Sequence, residues 1–100
     1  MKINTINEGE FYKILESEEL FVADFSANWC CECADADKIL SDFSMENPGL
    51  KIYRIDVEEC TDIANRYNVI NVPSVLVFNR KVVKSRSDGK FTFEELSRLI

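Results

Sequence analysis

The chain has 100 residues, 46% of them apolar and 30% charged, with three glycines and two prolines. That is enough for one self-supporting core over residues 1–100, and it excludes a disordered or collagen-like chain. The net charge of −6 and the scattered Lys and Arg argue against nucleic-acid binding, and the absence of histidine removes every Ser–His or Cys–His catalytic pair.

The N-terminus MKINTINEGE has no apolar core of a signal peptide, and no apolar run approaches the roughly 20 residues of a membrane span. A cytoplasmic protein with no membrane partner is the expectation. Four cysteines, Cys30, Cys31, Cys33 and Cys60, then point to redox or metal chemistry rather than a stapling disulfide framework.

The elements follow in chain order. A strand is expected around Lys2 to Thr5. Asn7 then caps a helix, with Glu10 reaching back to it and Phe11, Ile14 and Leu15 on one face. Leu20 to Phe25 is an apolar run with a single charge, Asp24, and reads as a strand buried on both sides. Trp29-Cys-Cys-Glu-Cys33 follows at once. Ala36, Ile39, Leu40 and Phe43 place a helix from about Cys31 to the stop at Asn47-Pro48-Gly49. Leu50 to Ile55 alternates as a strand. Cys60, Ile63, Ala64 and Tyr67 mark a short helix. Val75–Phe78 and Val82–Ser85 form a hairpin around Asn79-Arg80-Lys81, and Thr92 with Glu95 caps a final helix facing inward through Phe93, Leu96 and Ile100. The order β-α-β-α-β-α-β-β-α predicts an α/β fold. Its central, mostly parallel sheet has about five strands flanked by about four helices.

Cys30 and Cys33 are three apart. On the first turn of a helix that spacing brings both sulfurs to one side, within bridging distance. Cys30 lies at the helix start, where free backbone N–H groups and the helix dipole favour a thiolate, the nucleophile of disulfide exchange. Cys33, one turn deeper, is placed to attack the mixed disulfide that Cys30 forms. Asp24 interrupts an apolar strand six residues upstream. Burial would raise its pKa and fit it as a general base for Cys33, whereas at a strand end it would simply face water; its apolar neighbours favour burial. Pro73 precedes a core strand. A cis Val72–Pro73 bond would turn the Val72 backbone outward beside the cysteines, where an extended peptide can pair with it; from the proline alone, trans is the ordinary form.

On these residues the chain resembles the thioredoxin family. Val22-Ala-Asp-Phe-Ser-Ala-Asn-Trp-Cys-Cys-Glu-Cys33 is similar to the family's strand–WCxxC–helix element. Val72-Pro73-Ser74 is similar to its cis-proline loop, and Gly89 falls where the family has a glycine before the last helix. The likeness runs over about residues 2 to 100. It implies a thioredoxin fold, Cys30 as nucleophile, Cys33 as resolving thiol, a cis Val72–Pro73 bond and reduction of disulfide-containing protein substrates. It also implies recharging by a thioredoxin-reductase-like donor, with no cofactor beyond the Cys30–Cys33 couple. Trp29, Cys30, Val72, Pro73 and Gly89 are expected to form a shallow apolar patch for extended peptides on a monomer.

Several positions depart from the family. Cys31-Glu32 replaces the usual Gly-Pro. Ser26 stands where an aromatic is common, Lys38 where a proline kinks the helix, and Lys81 where the hairpin has glycine. Glu32 beside Cys30 opposes its thiolate and so predicts a reducing couple. Cys31 reads either as an exposed modulating thiol or as a neutral substitution, and Cys60 as a core thiol. Two other functions fit the cysteines less well: a metal or iron–sulfur module, and a non-catalytic adaptor of the same fold.

Overall fold

The structure is a computed structural model and describes residues 3–100. Nine elements follow in order: β1 (Asn4–Ile6), α1 (Glu8–Ser17), β2 (Leu20–Ser26), α2 (Cys31–Glu46), β3 (Ile52–Asp56), α3 (Thr61–Arg66), β4 (Ser74–Asn79), β5 (Val82–Asp88) and α4 (Phe93–Leu99). The α/β fold expected from the sequence is present. The first strand is Asn4–Ile6 rather than Lys2–Thr5, and Lys2 lies outside the described residues. The third begins at Ile52 rather than Leu50.

One five-stranded sheet carries the order β1-β3-β2-β4-β5. β3 runs parallel to β1 and β2, and β4 is antiparallel to β2 and β5. β2 is therefore central, and all of it but Leu20 is buried. Because side chains alternate along a strand, β2 divides its residues between two cores. Phe21, Ala23 and Phe25 pack with Phe11 and Leu15 of α1, Ile63 of α3, and Phe78. Val22 packs with Ala36, Leu40 and Phe43 of α2, Leu96 of α4, and Val75 and Val77. The first core is aromatic. Phe21 and Phe78 stack at 4.8 Å, and Phe11 meets both edge-on.

Both predicted capping boxes form, Asn7 with Glu10 and Thr92 with Glu95. α2 runs unbroken through Lys38. At the β4–β5 hairpin, Arg80 and Lys81 take φ of 52° and 72°, the left-handed pair that a tight two-residue turn requires and that glycine ordinarily fills.

The segment between α3 and β4 carries Val72 and Pro73, and the Val72–Pro73 bond is cis, as the resemblance implied. Arg86 on β5 anchors this segment. Its Nη1 donates to the Tyr67 carbonyl at 2.7 Å, and its Nε and Nη2 grip both oxygens of Asp88 at 3.0 and 2.7 Å. The Ser74 hydroxyl donates to the Asn71 carbonyl at 2.6 Å and lies 3.3 Å from Asp88. The Gly89 N–H donates to the Pro73 carbonyl at 2.8 Å. Hydrogen bonds from Arg86 hold the Asp88 carboxyl below its ordinary pKa. Stability from this grip is present above the ordinary carboxylate range and is lost as pH falls through the lowered value. Arg86→Met should cost about 1–2 kcal/mol, the low end for charge-assisted bonds because the pair is partly solvated. Urea unfolding gives the loss. Amide exchange should quicken at residues 68–72 more than elsewhere; uniform acceleration would contradict a local anchor.

Candidate active site at the start of helix α2

Strand parity builds the site. Asp24 and Ser26 point to the same side of β2 as Val22, toward α2. Register places Asp24 beside Arg54 of β3 and Val75 of β4. On α2, Cys33 and Asp37 are four apart and share one face. The side chains of Cys33, Asp37, Asp24, Ser26 and Arg54 therefore meet in the layer between sheet and helix.

Cys30 is the N-cap of α2. Its Sγ accepts the Cys33 N–H at 3.2 Å and lies 3.8 Å from the Val72 carbonyl oxygen. It is partly exposed, whereas Cys33 is 1% exposed. Burial pushes the Cys33 thiol up to about 12, helped by its hydrogen bond with the Cys30 thiol. Cys31 is exposed and Cys60 is buried against the Ile6 carbonyl, as the sequence suggested for each. All four are free thiols here. Among the described residues, no group of three or more Cys, Asp or Glu side chains is arranged to hold a metal.

Asp24 is buried, at 0% exposure, and the strand-end alternative is excluded. Its pKa is raised well above the ordinary value, first by desolvation and then by the Asp37 carboxyl beside it; Arg54 pulls the other way. Neither Asp24 oxygen meets a donor among the described residues. Two ionised carboxylates are both acceptors, so each can satisfy the other only once a proton lies between them.

Sequence reasoning missed Ser26, Asp37 and Arg54 as parts of one network. Arg54 Nε donates to Ser26 Oγ at 2.7 Å, and its Nη1 donates to Asp37 Oδ2 at 2.6 Å. The usable signals were spacings: Ser26 is two residues from Asp24 on a strand, and Asp37 four from Cys33 on a helix. Lys90 Nζ lies 3.3 Å from Glu32, and both are exposed, so the field of Glu32 at Cys30 is partly cancelled and screened.

Around Cys30 lies a shallow groove of about 450 Å³. Trp29, Cys31, Glu32 and Val72 line it, joined by Ile70, which no sequence pattern marked. Trp29 is 67% exposed and Ile70 88%. Pro73 lines a second, adjoining depression with Lys90, and Gly89 touches the Pro73 carbonyl without lining either one.

The raised pKa of Asp24 makes stability depend on pH in a definite sense. Unfolded, its carboxyl titrates near 3.9; folded, it keeps its proton to higher pH. Between these values the folded state binds more protons, so stability falls as pH rises through that window. Asp24→Asn should match the wild type below about pH 4 and exceed its stability at pH 8–9 by on the order of 1–4 kcal/mol. Urea midpoints across pH test this. A destabilised variant at pH 8–9 would mean that Asp24 holds the fold together as a charge.

Comparison with known proteins agrees with this geometry. The Thioredoxin family model matches residues 2–100. Thioredoxin C-2 of Corynebacterium nephridii is 32% identical over 99 residues, covering 98% of this chain and 92% of that protein. Thioredoxin-1 of Saccharomyces cerevisiae is 33% identical over 69 residues, covering 69% and 67%. Among solved structures, a mutant thioredoxin from Halobacterium salinarum superposes with a TM-score of 0.88 at 23% identity, covering 99% of this chain and 88% of that one. Plasmodium falciparum thioredoxin does so with a TM-score of 0.88 at 21% identity, covering 97% and 95%. With Cys30 and Cys33 in a WCxxC-type site, this chain belongs to the thioredoxin family of thiol–disulfide oxidoreductases.

Proposed function

We propose that this protein reduces disulfides in protein substrates, with Cys30 as nucleophile, Cys33 as resolving thiol and Asp24 as proton acceptor and donor. One observation carries this reading: the half-exposed Cys30 sulfur sits on the α2 N-terminus, while the buried Cys33 lies beneath it beside buried Asp24.

The Cys30 thiolate attacks one sulfur of the substrate disulfide. The S–S pair of electrons leaves with the other sulfur, which takes a proton from solvent. Cys30 is now joined to the substrate as a mixed disulfide. Burial, the largest cause of the raised Cys33 pKa, persists in this intermediate, so Cys33 holds little thiolate at neutral pH and needs a base. Asp24 takes its proton. The Cys33 thiolate attacks the Cys30 sulfur, the second substrate thiolate departs, and the Cys30–Cys33 disulfide remains. Two electrons have passed to the substrate. No cofactor beyond this couple is required. A dithiol donor of the thioredoxin-reductase kind restores it.

The groove supports an extended peptide as substrate. Trp29, Val72 and Pro73 offer an apolar margin beside the sulfur, Gly89 keeps the neighbouring loop free of a side chain, and the Val72 carbonyl faces the reacting atom. Glu32 opposes the Cys30 thiolate and favours a reducing couple, moderated by Lys90. Cys31 modulates at most, being outside the Cys33 face. The expected setting is cytoplasmic and the expected state a monomer. No described helix is long and apolar enough to cross a membrane.

Two measurements test this. Titrating Trp29 fluorescence against a thiol–disulfide buffer should give a two-electron transition near or below about −270 mV, unchanged in Cys31→Ser. A potential well above that range would indicate an oxidant. Cys33→Ser should trap substrates as mixed disulfides through Cys30; trapping through Cys31 would overturn the nucleophile assignment.

A further inference from the structure

The proton that Asp24 accepts has no outlet of its own. Its side chain is fully buried and neither oxygen meets a donor among the described residues. The groups facing it are Cys33 and Asp37 from α2 and Arg54 from β3, while its register partner on β4 is Val75. Of these, only Asp37 can both hold a proton and reach water. Its Oδ2 is fixed by Arg54 Nη1 at 2.6 Å, and Arg54 is itself held by Ser26 Oγ at 2.7 Å. Its Oδ1 is buried and meets no donor among the described residues. Yet the Asp37 side chain is 30% exposed. One buried and one solvent-reaching carboxyl are therefore in contact, and a proton shared between them would satisfy two of the three buried oxygens that lack a donor among the described residues.

We propose that Asp37, positioned by Arg54 and Ser26, is the proton outlet of the site: it receives the proton of Asp24 on Oδ1 and, as its carboxyl turns, passes it to solvent. The inference rests on the reading of Asp24 as the base for Cys33. In the resolving step, the Cys33 S–H proton goes to the Asp24 carboxylate. The freed sulfur electron pair forms the Cys33–Cys30 bond, and the broken mixed-disulfide bond leaves its pair on the departing thiolate. Asp24–COOH then passes its proton to Oδ1 of Asp37–COO⁻; a turn of the partly exposed Asp37 carboxyl brings that oxygen to the solvent side, where the proton leaves to water. Asp24 is again a carboxylate. When the Cys30–Cys33 disulfide is reduced the proton travels inward by the same route. Asp37 touches no substrate and acts through Asp24, so it is a positioning and relay residue.

The experiment mixes the reduced protein, in a Cys31→Ser background, with one equivalent of an aromatic disulfide whose thiolate is coloured. Colour appears in two phases. The first reports attack by Cys30, and the second reports release by Cys33. Asp37→Asn should leave the first phase unchanged, which also shows that the site is folded. It should slow the second by about tenfold, less than the roughly 10²–10⁴-fold contribution of a directly acting acid or base. Asp37→Glu should recover most of the loss, and added formate should accelerate Asp37→Ala but not the wild type.

A second phase as fast in Asp37→Asn as in the wild type overturns the proposal. So does a slow one that neither glutamate nor formate restores, because that is the mark of a purely structural Asp37–Arg54 pair. Asp24→Asn separates the two levels. If it slows the second phase while Asp37→Asn does not, only the outlet fails. If it leaves the second phase intact, the general-base reading fails as well. Should the Asp37 variants lose the first phase, infrared difference spectra of the wild type decide. Loss of one protonated carboxyl on raising pH should perturb two carboxylates; a change confined to one overturns the proposal.

Discussion

A carboxyl group buried on the central strand sets the terms for the rest of this structure. Removing an ionised carboxylate from water costs several kcal/mol even after the protein relaxes around it. β2 carries Asp24 at 0% exposure, between β3 and β4 and beneath α2. The two cores on either side of the sheet hold that strand in place and so oppose the cost. The aromatic cluster of Phe11, Phe21 and Phe78 lies on one face, and the aliphatic packing of Leu40, Val75, Val77 and Leu96 lies on the other. Asp24 also accounts for the polar layer between β2 and α2. Among the described residues, Ser26, Arg54 and Asp37 form the bonded polar network there, and its Asp37 end meets the carboxyl directly.

The same placement makes two chemically identical thiols unequal. Cys30, on the helix N-terminus, receives a backbone N–H and opens to the groove. Cys33, one turn later, is closed off from water, and its proton is held far more tightly than that of a free thiol. In the proposed reaction a nucleophile must meet its substrate and a resolving thiol must wait, and this difference in burial supports that order. Cys31, between them, belongs to neither environment: it points away from the Asp24 layer and lines the groove from the side. On the opposite wall, Val72 is held not by the helix but by β5, through the grip of Arg86 on Asp88 and the end of α3. The two sides of the reacting centre thus rest on different parts of the sheet.

The departures from the family pattern acquire meaning only in this setting. Where an aromatic is common, Ser26 gives Arg54 an acceptor for its Nε that a ring would not provide. That bond orients the guanidinium toward Asp37 and not toward Asp24, although Asp24 is its register neighbour. Glu32 and Lys90 form an exposed pair at the rim, so the charge that the sequence places beside Cys30 is partly cancelled there.

By itself the sequence determined the order of elements, the capping of two helices, the buried strand and the identity of the thiol pair. These depend on local periodicity, on side chains within one helical turn of each other, and on a single charge set among apolar neighbours. Asp24, Cys30 and Cys33 were legible for that reason. Ser26, Asp37, Arg54 and Ile70 were not. Taken alone each is an ordinary hydroxyl, an ordinary surface charge, or an apolar residue in a loop. Ser26 and Arg54 stand 28 positions apart, and only the parallel register of β2 and β3 brings them onto one face. Arg86 meets the backbone of residue 67 only because β5 folds back along β4. Which polar groups share a buried space is set by strand register and by which face a helix lays on the sheet. Those are long-range choices made by the packing of both cores at once, so only the tertiary structure decided them.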